Sequence, residues 1–405
     1  MNVFVFNCGS SSVKGQLVDL KLRATVLGGR VERIGDAGAQ LTTWQRTPSG
    51  ARDESSNAVS AADHRAALET LIEALAKCSE TVANGSFAAI GHRVVHGGER
   101  FREPAVIDHS VLDGIQSAAS LASLHNAANL SGIELALARW PGVPQVAVFD
   151  TAFHQTLPPH AFHYALPLDL CERHGIRRFG FHGTSHRYVA RRAAALLGRP
   201  LESLQIVTLH LGNGASAAAI ESGRSVETSM GFTPLEGLMM STRCGDVDPG
   251  IVFHLARVAG KSLEELETML KLQSGLKGVC GASDMRDVVR MAEAGDARAE
   301  LALAMFCHRI RKFVGAYFAV LGRVDALVFT AGIGENSAVV RSRICAGLEG
   351  LGIALDDGRN LSARGECEVQ SANSAVKVLL IPTNEELEIA EQTMTCLSVA
   401  ANNPT

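Results

Sequence analysis

The chain has 405 residues, of which 46% are hydrophobic and 20% are charged, and its formal net charge is −4. These proportions exclude a disordered chain, the length favours two domains, and the small negative charge argues against nucleic acid as a main partner. No apolar run is long enough to span a membrane, and residues 1–6 are typical of a first strand and not of a leader segment. Nine cysteines without a Cys-x-x-Cys pair indicate reduced thiols in a cytoplasmic protein.

The first element in chain order is a strand–turn–strand over residues 3–20 whose turn is rich in glycine and serine. The turn, Asn7 to Lys14, presents backbone N–H groups, hydroxyls and one lysine to a single point, which suits a phosphate. The segment 210–216 repeats this pattern between two apolar strands. Neither segment is one of the commoner nucleotide motifs. The Gly260-Lys261-Ser262 sequence lacks the Walker glycine, because position 255 is leucine. The dinucleotide patterns that start at Gly212 and Gly332 lack their third glycine, which is Ala217 and Ser337 respectively. Two such hairpins indicate a duplicated nucleotide-handling fold with a cleft between its halves.

Residue periodicity predicts alternating helices and strands along the rest of the chain. Residues 41–57 are polar and turn-rich, and we predict no regular element there. The predicted helices cover 60–78, 110–122, 129–139, 187–197, 263–271 with a capping box, 298–321 and a C-terminal segment from about 385. The predicted strands cover 88–95, 146–149, 206–209, 217–220, 326–330 and 376–381. This alternation indicates an α/β protein with mixed sheets.

The predicted domain boundary lies near residue 150, because residues 153–177 contain several prolines and histidines and show no clean periodicity. Domain I is predicted to cover 1–150 together with the C-terminal helix at about 386–405. Domain II is predicted to cover 151–385.

Charged residues interrupt or follow apolar strands at several points, where α/β proteins commonly place their active sites. Arg93 lies within an apolar strand and needs an anionic partner, which is either a structural carboxylate or a substrate. Asp150 ends a strand, where it can bind a metal, hold an arginine or cap a loop. Arg243 lies in a loop whose glycine, aspartate and proline residues favour a fixed position. Glu385 begins the C-terminal helix, where a carboxylate also stabilises the helix dipole.

His182 lies in a glycine-flanked loop ahead of a helix, a position suited to meeting an anion. It is followed by His186 at the spacing of a zinc pair on a helix. However, we predict the helix N-cap at Thr184 or Ser185, so His182 precedes the helix and a zinc pair is disfavoured. His186 is therefore predicted to be structural.

Taken together, these segments resemble the acetate kinase family over almost the whole chain. The matching motifs are, in order, NxGSSSxK, GHRVVHGG, LHN, VFDTAFH, FGFHGTSH, HLGNGAS, TPLEGLMM, GDVDP, ASDMRD, TAGIGEN and IPTNEE. The family implies the two-domain actin, Hsp70 and sugar-kinase-like fold, with duplicated mixed-sheet domains around a nucleotide cleft, and usually a homodimer. Domain I would be the acyl and phosphate side, and domain II would bind the nucleotide and form the dimer. The implied reaction is reversible, Mg²⁺-dependent phosphoryl transfer between ATP and acetate, giving acetyl phosphate and ADP.

The resemblance also implies roles for individual residues. It associates Mg²⁺, or Mn²⁺ in its place, with Asn7 and Glu385. It places Arg93 and Asp150 at the acyl substrate and makes His182 and Arg243 stabilisers of the transition state. The implied ATP contacts are Ser10, Ser12, Lys14, His210, Leu211, Gly212, Asn213, Gly214, Asp284, Met285, Arg286, Gly332, Ile333, Gly334, Glu335 and Asn336. The implied acyl-pocket residues are Arg93, Val95, Leu124, His125, Phe181 and Pro234.

Elementary chemistry limits what Asp150 can do in such a reaction. A carboxylic acid with a pKa of about 4 is already ionised at neutral pH, so the acceptor needs no general base. We therefore expect Asp150 to orient Arg93 or a magnesium-bound water. The resemblance implies that Val95 favours acetate, because propionate-preferring relatives tend to have a smaller residue there. One methylene discriminates by only about 1–3 kcal/mol, so propionate is expected as a secondary substrate.

Two alternatives remain open at this point. One is a propionate kinase or another short-chain acyl kinase. The other is an ATP-driven module without a phosphoryl acceptor, which the arginine pair Arg93 and Arg243 disfavours. A separate hypothesis concerns Cys244, whose position next to Arg243 suggests a low-pKa thiol whose oxidation blocks the site.

Overall fold

The computed structural model describes residues 1–9, 11–36, 38–47, 49–120 and 123–402, with the backbone alone for residues 120 and 123–125. These residues form two compact units. Unit 1 comprises Met1–Phe153 and Asn384–Thr405, and unit 2 comprises His154–Thr383.

The sheet of unit 1 combines antiparallel hairpins with a parallel centre. Its strand order is β5-β4-β3-β2-β1-β6-β8-β7, in which β1, β6 and β8 run parallel and the other neighbours are antiparallel. The strands are β1 Asn2–Cys8, β2 Ser12–Asp19, β3 Ala24–Glu32, β4 Gln40–Arg46, β5 Arg52–Ala58, β6 Ala89–Val94, β7 Ala105–Val106 and β8 Gln145–Phe149. The predicted hairpin at 3–20 is confirmed as β1 and β2.

The prediction of no regular element at 41–57 was wrong, because β4 and β5 pair there as an antiparallel hairpin. Every residue of β5 is exposed, so this edge strand shows no alternation of apolar and polar residues. In β4 the buried Trp44 lies over Gly28, where a Cβ atom would come within 2.6 Å of the indole ring. Across the hairpin, the hydroxyls of Thr42 and Ser56 lie 2.6 Å apart and the Arg52 guanidinium lies over the Trp44 ring. The hairpin is therefore specified by backbone pairing and by these side-chain contacts, whereas Trp44 anchors it to β3.

The helices of unit 1 pack against its sheet and against one another. They are α1 His64–Cys78, α2 Glu80–Asn84, α3 His109–Ser117, α4 Ser123–Arg139 and the C-terminal helix Glu385–Asn402. The face of α1 that packs against the sheet contains Leu68, Leu71 and Leu75. Asp63 caps α1 by accepting the backbone N–H of Ala66 at 2.9 Å. The C-terminal helix lies close to β6, since a Cβ atom on Gly91 would be 2.5 Å from Thr393 Oγ1 and 2.7 Å from Ile389 Cγ2. Glycine is thus required where this helix crosses the sheet.

The sheet of unit 2 repeats the plan of unit 1. Its order is β11-β10-β9-β12-β14-β13. The first five of these strands correspond, in this order, to β3-β2-β1-β6-β8 of unit 1, and neighbouring strands have the same relative directions in both sheets. The strands are β9 Gln205–Leu211, β10 Ala215–Glu221, β11 Arg224–Thr228, β12 Ala326–Thr330, β13 Cys367–Glu368 and β14 Lys377–Leu380. The prediction of duplicated mixed sheets is confirmed.

Most of the helices described lie in unit 2. They are α5 Pro159–Phe162, α6 Leu168–His174, α7 Gly183–Leu197, α8 Pro249–Val258, α9 Leu263–Leu272, α10 Gly275–Cys280, α11 Met285–Glu293, α12 Ala297–Leu321, α13 Ala331–Asn336, α14 Ala338–Cys345 and α15 Asp357–Ser362. The predicted capping box of α9 is confirmed between Ser262 and Glu265. Among the described helices of both units, none has the length and apolar character needed to cross a bilayer.

Candidate active site

In unit 1, three polar side chains meet where parallel strands end. Asn7 in β1 pairs in register with Arg93 in β6, and Asp150 directly follows β8. The guanidinium of Arg93 donates from Nε to both carboxylate oxygens of Asp150 at 3.1 Å and from Nη2 to Oδ2 at 2.5 Å. Its Nη1 donates to Asn7 Oδ1 at 2.9 Å. The anionic partner that the sequence required for Arg93 is therefore a structural carboxylate.

The environment of this ion pair fixes the charge of Arg93. The Asp150 side chain is 1% exposed and that of Arg93 is 17% exposed. Burial alone would lower the pKa of Arg93, but the charges of Asp150 and, further away, Glu385 outweigh burial and raise it. Arg93 is thus a permanent, oriented cation at the strand ends of unit 1.

Glu385 has the features of a metal-binding carboxylate. It begins the C-terminal helix, and its Oε1 is buried without a hydrogen-bond partner in the described part of the chain. Burial raises the pKa of Glu385, whereas the positive charges of Arg93 and Lys14 lower it. A buried carboxylate oxygen without a donor is costly unless a ligand pairs with it. The residues described contain no cluster of three histidine, cysteine, aspartate or glutamate side chains that could hold a metal alone.

Two asparagines of α4 hold the backbone around this cluster, and sequence analysis missed both. Asn129 Nδ2 donates to the carbonyl of Cys8 at 2.8 Å, and its Oδ1 accepts the N–H of Val95 at 3.0 Å. Asn126 accepts the N–H of His96 at 3.2 Å and donates to the carbonyl of the same residue at 3.0 Å. Both asparagines are buried in a helix, a placement that polar residues avoid without a specific partner.

The start of α4 also corrects a prediction. The helix begins at Ser123 and not near residue 129, so the Leu-His-Asn motif lies in its first turns. The side chains of Leu124 and His125 lie outside the described part of the structure, as does Ser10. Their predicted contacts remain predictions.

Unit 2 contains a cavity of about 820 Å³, within the range of roughly 300–1,000 Å³ typical of small-molecule sites. Three separate segments that were predicted to contact ATP line it together. The predicted lining residues are Gly212, Asn213, Asp284, Met285, Arg286, Gly332, Ile333 and Asn336. The lining residues that sequence analysis missed are Val289, Ser337, Ala338 and Val339. The last three directly follow a predicted segment, and Val289 lies one helical turn beyond Met285.

Other predicted ATP residues lie apart from this cavity. Leu211 is fully buried, and Gly334 is buried against the backbone of Phe329. Glu335 lines a neighbouring cavity of about 370 Å³, and its Oε1 accepts the backbone N–H of Thr383 at 3.2 Å. Burial raises the pKa of Glu335. Ser12 and Lys14 lie on β2 of unit 1.

A buried arginine holds the helix that forms one wall of the cavity. Arg341 is 2% exposed, and its Nη1 donates to the carbonyls of Gly334 and Glu335 at 2.8 and 2.9 Å. Its Nε donates to Asn360 Oδ1 at 2.7 Å. Arg341 therefore satisfies carbonyls at the end of α13 that the helix itself leaves unpaired.

His182 and Arg243 flank the glycine-rich turn of the second hairpin. A Cβ atom on Gly214 would be 3.3 Å from Nε2 of His182 and 3.6 Å from Nη1 of Arg243. Nη1 of Arg243 also donates to the carbonyl of Pro234 at 3.0 Å, and burial lowers the pKa of Arg243. The His182 ring stacks on His210 with centroids 4.2 Å apart. Two groups implied to stabilise a transition state thus meet at one turn.

The helix after His182 starts earlier than predicted. His182 itself is the N-cap of α7, in the left-handed region at φ 56°, so Thr184 and Ser185 lie inside the helix. A non-glycine residue in this region is uncommon and is frequent at functional sites. His182 does precede the helix as predicted, and His186 is fully buried.

The hypothesis of a low-pKa thiol at Cys244 was wrong. Burial raises the pKa of Cys244, and the charge of Asp246 raises it further. Its Sγ donates to the carbonyl of Gly245 at 3.1 Å. Proximity to Arg243 in sequence did not provide a stabilising charge for a thiolate.

The predicted acyl-pocket residues are divided between the units. Val95, 6% exposed, follows β6 in unit 1, whereas Phe181 and Pro234 belong to unit 2. Within unit 2, Pro234 is in contact with Arg243 and Phe181 immediately precedes His182.

A cation fixed at strand ends in one sheet, and a glycine-lined cavity of nucleotide size in a second sheet of the same plan, suit phosphoryl transfer from a nucleotide. This combination defines the chain as an enzyme of the kinase class. A family model described as the Acetokinase family matches residues 2–391, and the chain belongs to this family. Phosphoryl transfer between ATP and acetate is the reaction of the family. This membership excludes the alternative of an ATP-driven module without an acceptor.

Relatives match along nearly their full length. Acetate kinase of Syntrophobacter fumaroxidans is 53% identical over 396 residues, covering 97% of this chain and 96% of that protein. Acetate kinase of Streptomyces avermitilis is 51% identical over 399 residues, covering 98% of each chain. The crystal structure of Porphyromonas gingivalis acetate kinase superposes with a TM-score of 0.90 at 42% identity, covering 98% of this chain and 99% of that one. A propionate kinase structure from Francisella tularensis gives a TM-score of 0.90 at 40% identity, covering 97% and 99%.

Proposed function

We propose that this chain catalyses reversible, Mg²⁺-dependent phosphoryl transfer between ATP and acetate, giving acetyl phosphate and ADP. The observation that supports this most is the cavity of unit 2, where three segments far apart in sequence converge as a nucleotide site requires. The names and the high identity of the two bacterial relatives point to the same reaction.

Each charged group has a specific task in this reaction. The phosphoryl group in flight spreads negative charge over its equatorial oxygens, so positioned cations and donors stabilise it. Arg243 and His182, which meet at Gly214, serve this purpose. Arg93 binds the carboxylate of the acid, and Asp150 holds Arg93 in orientation without accepting a proton. Acetate is the nucleophile and is ionised before it binds.

A divalent cation fits the residues of unit 1. Glu385 supplies a buried carboxylate oxygen without a donor, and Asn7 supplies an amide oxygen nearby in the same cluster of charges. Mg²⁺ binds through one or two protein oxygens, waters and substrate phosphates, and Mn²⁺ accepts the same ligands. When bound, the ion would neutralise charge on the phosphates. Asn7 and Glu385 would hold it.

Propionate is the second candidate substrate, because the Francisella structure that matches equally well by TM-score is named a propionate kinase. Val95 is the residue that we propose limits the length of the acyl chain. It is 6% exposed, and its backbone N–H donates to Asn129 Oδ1 at 3.0 Å, which holds the backbone at this position.

The test is formation of acyl phosphate from ATP and Mg²⁺ with acetate, propionate and butyrate in parallel, trapped with hydroxylamine. We expect the highest kcat/KM with acetate, a lower value with propionate and a still lower one with butyrate. A higher kcat/KM with propionate than with acetate would identify propionate as the preferred substrate. No acyl phosphate from any acid would reject the proposed function.

We also propose a homodimer formed through α8 and α9. None of the residues of α8 is buried within the chain, and two of its large apolar side chains are exposed: Phe253 is 58% exposed and Val258 is 72% exposed. Leu263 at the start of α9 is 75% exposed. Apolar surface of this kind marks protein–protein contact. Light scattering should give a dimer mass that Phe253→Glu reduces to a monomer mass, whereas Leu361→Glu, at an exposed leucine elsewhere, should not.

We also propose that the protein is located in the cytoplasm. All nine cysteines are free thiols, which is the usual state in a reducing compartment such as the cytoplasm.

A further inference from the structure

A continuous line of hydrogen bonds leads from the core of unit 2 to His182. Oγ1 of Thr208 in β9 lies 2.7 Å from Nδ1 of His186 in α7. Nε2 of His186 lies 2.8 Å from Oγ of Ser216 in β10, and the same Oγ lies 2.9 Å from Nδ1 of His182. The family resemblance gives no role to Thr208 or Ser216, and we predicted His186 to be merely structural.

The three residues behind His182 are sealed from solvent. Thr208, His186 and Ser216 are each 0% exposed. Burial lowers the pKa of His186 well below its usual value, and the nearby rings of His154 and His210 lower it further. His186 is therefore neutral and has one N–H, while Ser216 has one hydroxyl proton. If both histidines donated to Ser216, its buried hydroxyl proton would have no acceptor in the described structure. The three hydrogen bonds therefore point in the same direction, either inward or outward.

The buried threonine decides that direction. If the hydrogen bonds ran from His182 inward, Thr208 would accept from His186, and its own hydroxyl proton would have no acceptor in the described structure. A buried donor without an acceptor costs about 1–3 kcal/mol. If they run outward, Thr208 donates to Nδ1 of His186, Nε2–H of His186 donates to Ser216, and Ser216 donates to Nδ1 of His182. The outward direction satisfies every proton in the line.

We propose that Thr208, His186 and Ser216 form a relay that fixes the tautomer of His182, so that its proton is on Nε2 and is donated to a phosphoryl oxygen. Nε2 and Cε1 of His182 both face Gly214 in the glycine-rich turn, each 3.3 Å from a Cβ atom built there, beside Nη1 of Arg243 at 3.6 Å. With the opposite tautomer, Nε2 would direct a lone pair at phosphate oxygens and repel them. The three residues are positioning residues, and their effect on rate rests on the proposed function.

The first measurement is the ¹⁵N chemical shift pattern of His182 in the free enzyme, assigned with His182→Gln. We expect an unprotonated Nδ1 and a protonated Nε2 in the wild type. Ser216→Ala and Thr208→Val should each give a mixture of tautomers, whereas Ser216→Thr, which retains the hydroxyl, should keep the wild-type pattern. Ser229→Ala is the matched control, because Ser229 is a buried serine of unit 2 that accepts the N–H of Ala217 and is outside the relay.

The second measurement is the rate of acyl phosphate formation by the same variants. Removal of an oriented donor lowers kcat by about 10²–10³-fold. Ser216→Ala keeps the His182 ring and only mixes its tautomers, so we expect kcat to fall by a smaller factor of roughly tenfold, with KM for ATP within about twofold. Thr208→Val should show a smaller decrease in kcat, and Ser216→Thr should regain most of the rate. A wild-type tautomer pattern in both Ser216→Ala and Thr208→Val would overturn the relay. Since the NMR pattern is measured without substrate, the relay can be confirmed or rejected even if the wild type forms no acyl phosphate.

Discussion

The two hairpins of the chain have the same backbone plan and different chemistry at their ends. In unit 1 the turn closes with the N–H of Gly9 donating to Ser12 at 2.8 Å, and in unit 2 with Gly212 donating to Gly214 at 3.0 Å. In unit 1, however, the parallel strand beside the hairpin carries Arg93, paired with Asp150. In unit 2 the corresponding strand ends at Thr330 and leads into the neutral, glycine-rich start of α13.

Under the proposed function, this difference lets two sheets of the same plan serve two ligands. A small carboxylate offers little apolar surface, so it is bound through an oriented cation that the protein must neutralise and hold. A nucleotide is large, so backbone close to its phosphates and a wide cavity are sufficient without a buried charge among the residues that line the cavity. The following predictions test this division between the units.

The largest effect is expected at Arg243. Arg243→Ala removes a cation beside the turn of the second hairpin and should lower kcat by about 10³-fold, since a cation acts on the transition state. Binding of ADP should be retained, because Arg243 does not line the cavity. Steady-state kinetics with ADP calorimetry tests both parts. The exposed Arg102→Ala is the control, and a rise in KM for ATP without a fall in kcat would contradict the assignment.

The second prediction separates charge from stability in unit 1. Arg93→Met leaves the Asp150 carboxylate buried without its partner and should lower the free energy of unfolding by about 3–5 kcal/mol. The double variant Arg93→Met with Asp150→Leu should regain most of that stability in urea denaturation but remain inactive with acetate. If the double variant formed acyl phosphate at the wild-type rate, the ion pair would have no part in binding the acid.

The third prediction concerns Arg341 in unit 2. Arg341→Met leaves the carbonyls of Gly334 and Glu335 without donors, each costing about 1–3 kcal/mol if buried. The end of α13 should shift, and KM for ATP should rise by roughly tenfold while KM for acetate stays constant. Arg343→Met is the matched control, because Arg343 pairs with Glu300 at the surface. Equal changes in both KM values would show a general loss of structure.

The smallest effect is a pH dependence of stability in unit 1. Burial lowers the pKa of His92 and of His96 to about 4. Between pH 6.5 and 4 the unfolded state therefore binds more protons than the folded state, so the free energy of unfolding falls as the pH falls. The slope is at most about 1.4 kcal/mol per pH unit for each histidine. His92→Gln should flatten this slope in urea denaturation, whereas the exposed His109→Gln should leave it unchanged.

Sequence patterns located the charged and glycine-rich segments because short-range chemistry determines them. The hairpin turns, the strand before Asp150 and the start of α13 were all visible as local changes in residue type. The segments lining the cavity of unit 2 were named from family motifs, and the fold then brought Asn213, Asp284 and Gly332 together.

What the sequence did not show are features that depend on tertiary contacts. The edge strand β5 has no buried side chain, so its pairing and side-chain contacts with β4 define it. Asn129 and Ser216 appeared as ordinary polar residues, because their partners at Cys8, Val95 and His182 are distant in sequence. The raised pKa of Cys244 follows from burial, which neighbouring residue types do not reveal.

The most direct test of the division between the units is the affinity for ADP without Mg²⁺, measured by calorimetry in two variants. Gly332 faces open space in the cavity, since a Cβ atom at this position would have no neighbouring atom within 4 Å. Gly332→Leu should therefore fill the nucleotide site and weaken ADP binding by roughly tenfold or more. Arg93→Met should bind ADP within about twofold of the wild type, since Arg93 belongs to the acid site. Loss of ADP binding in Arg93→Met, with unchanged binding in Gly332→Leu, would contradict the account.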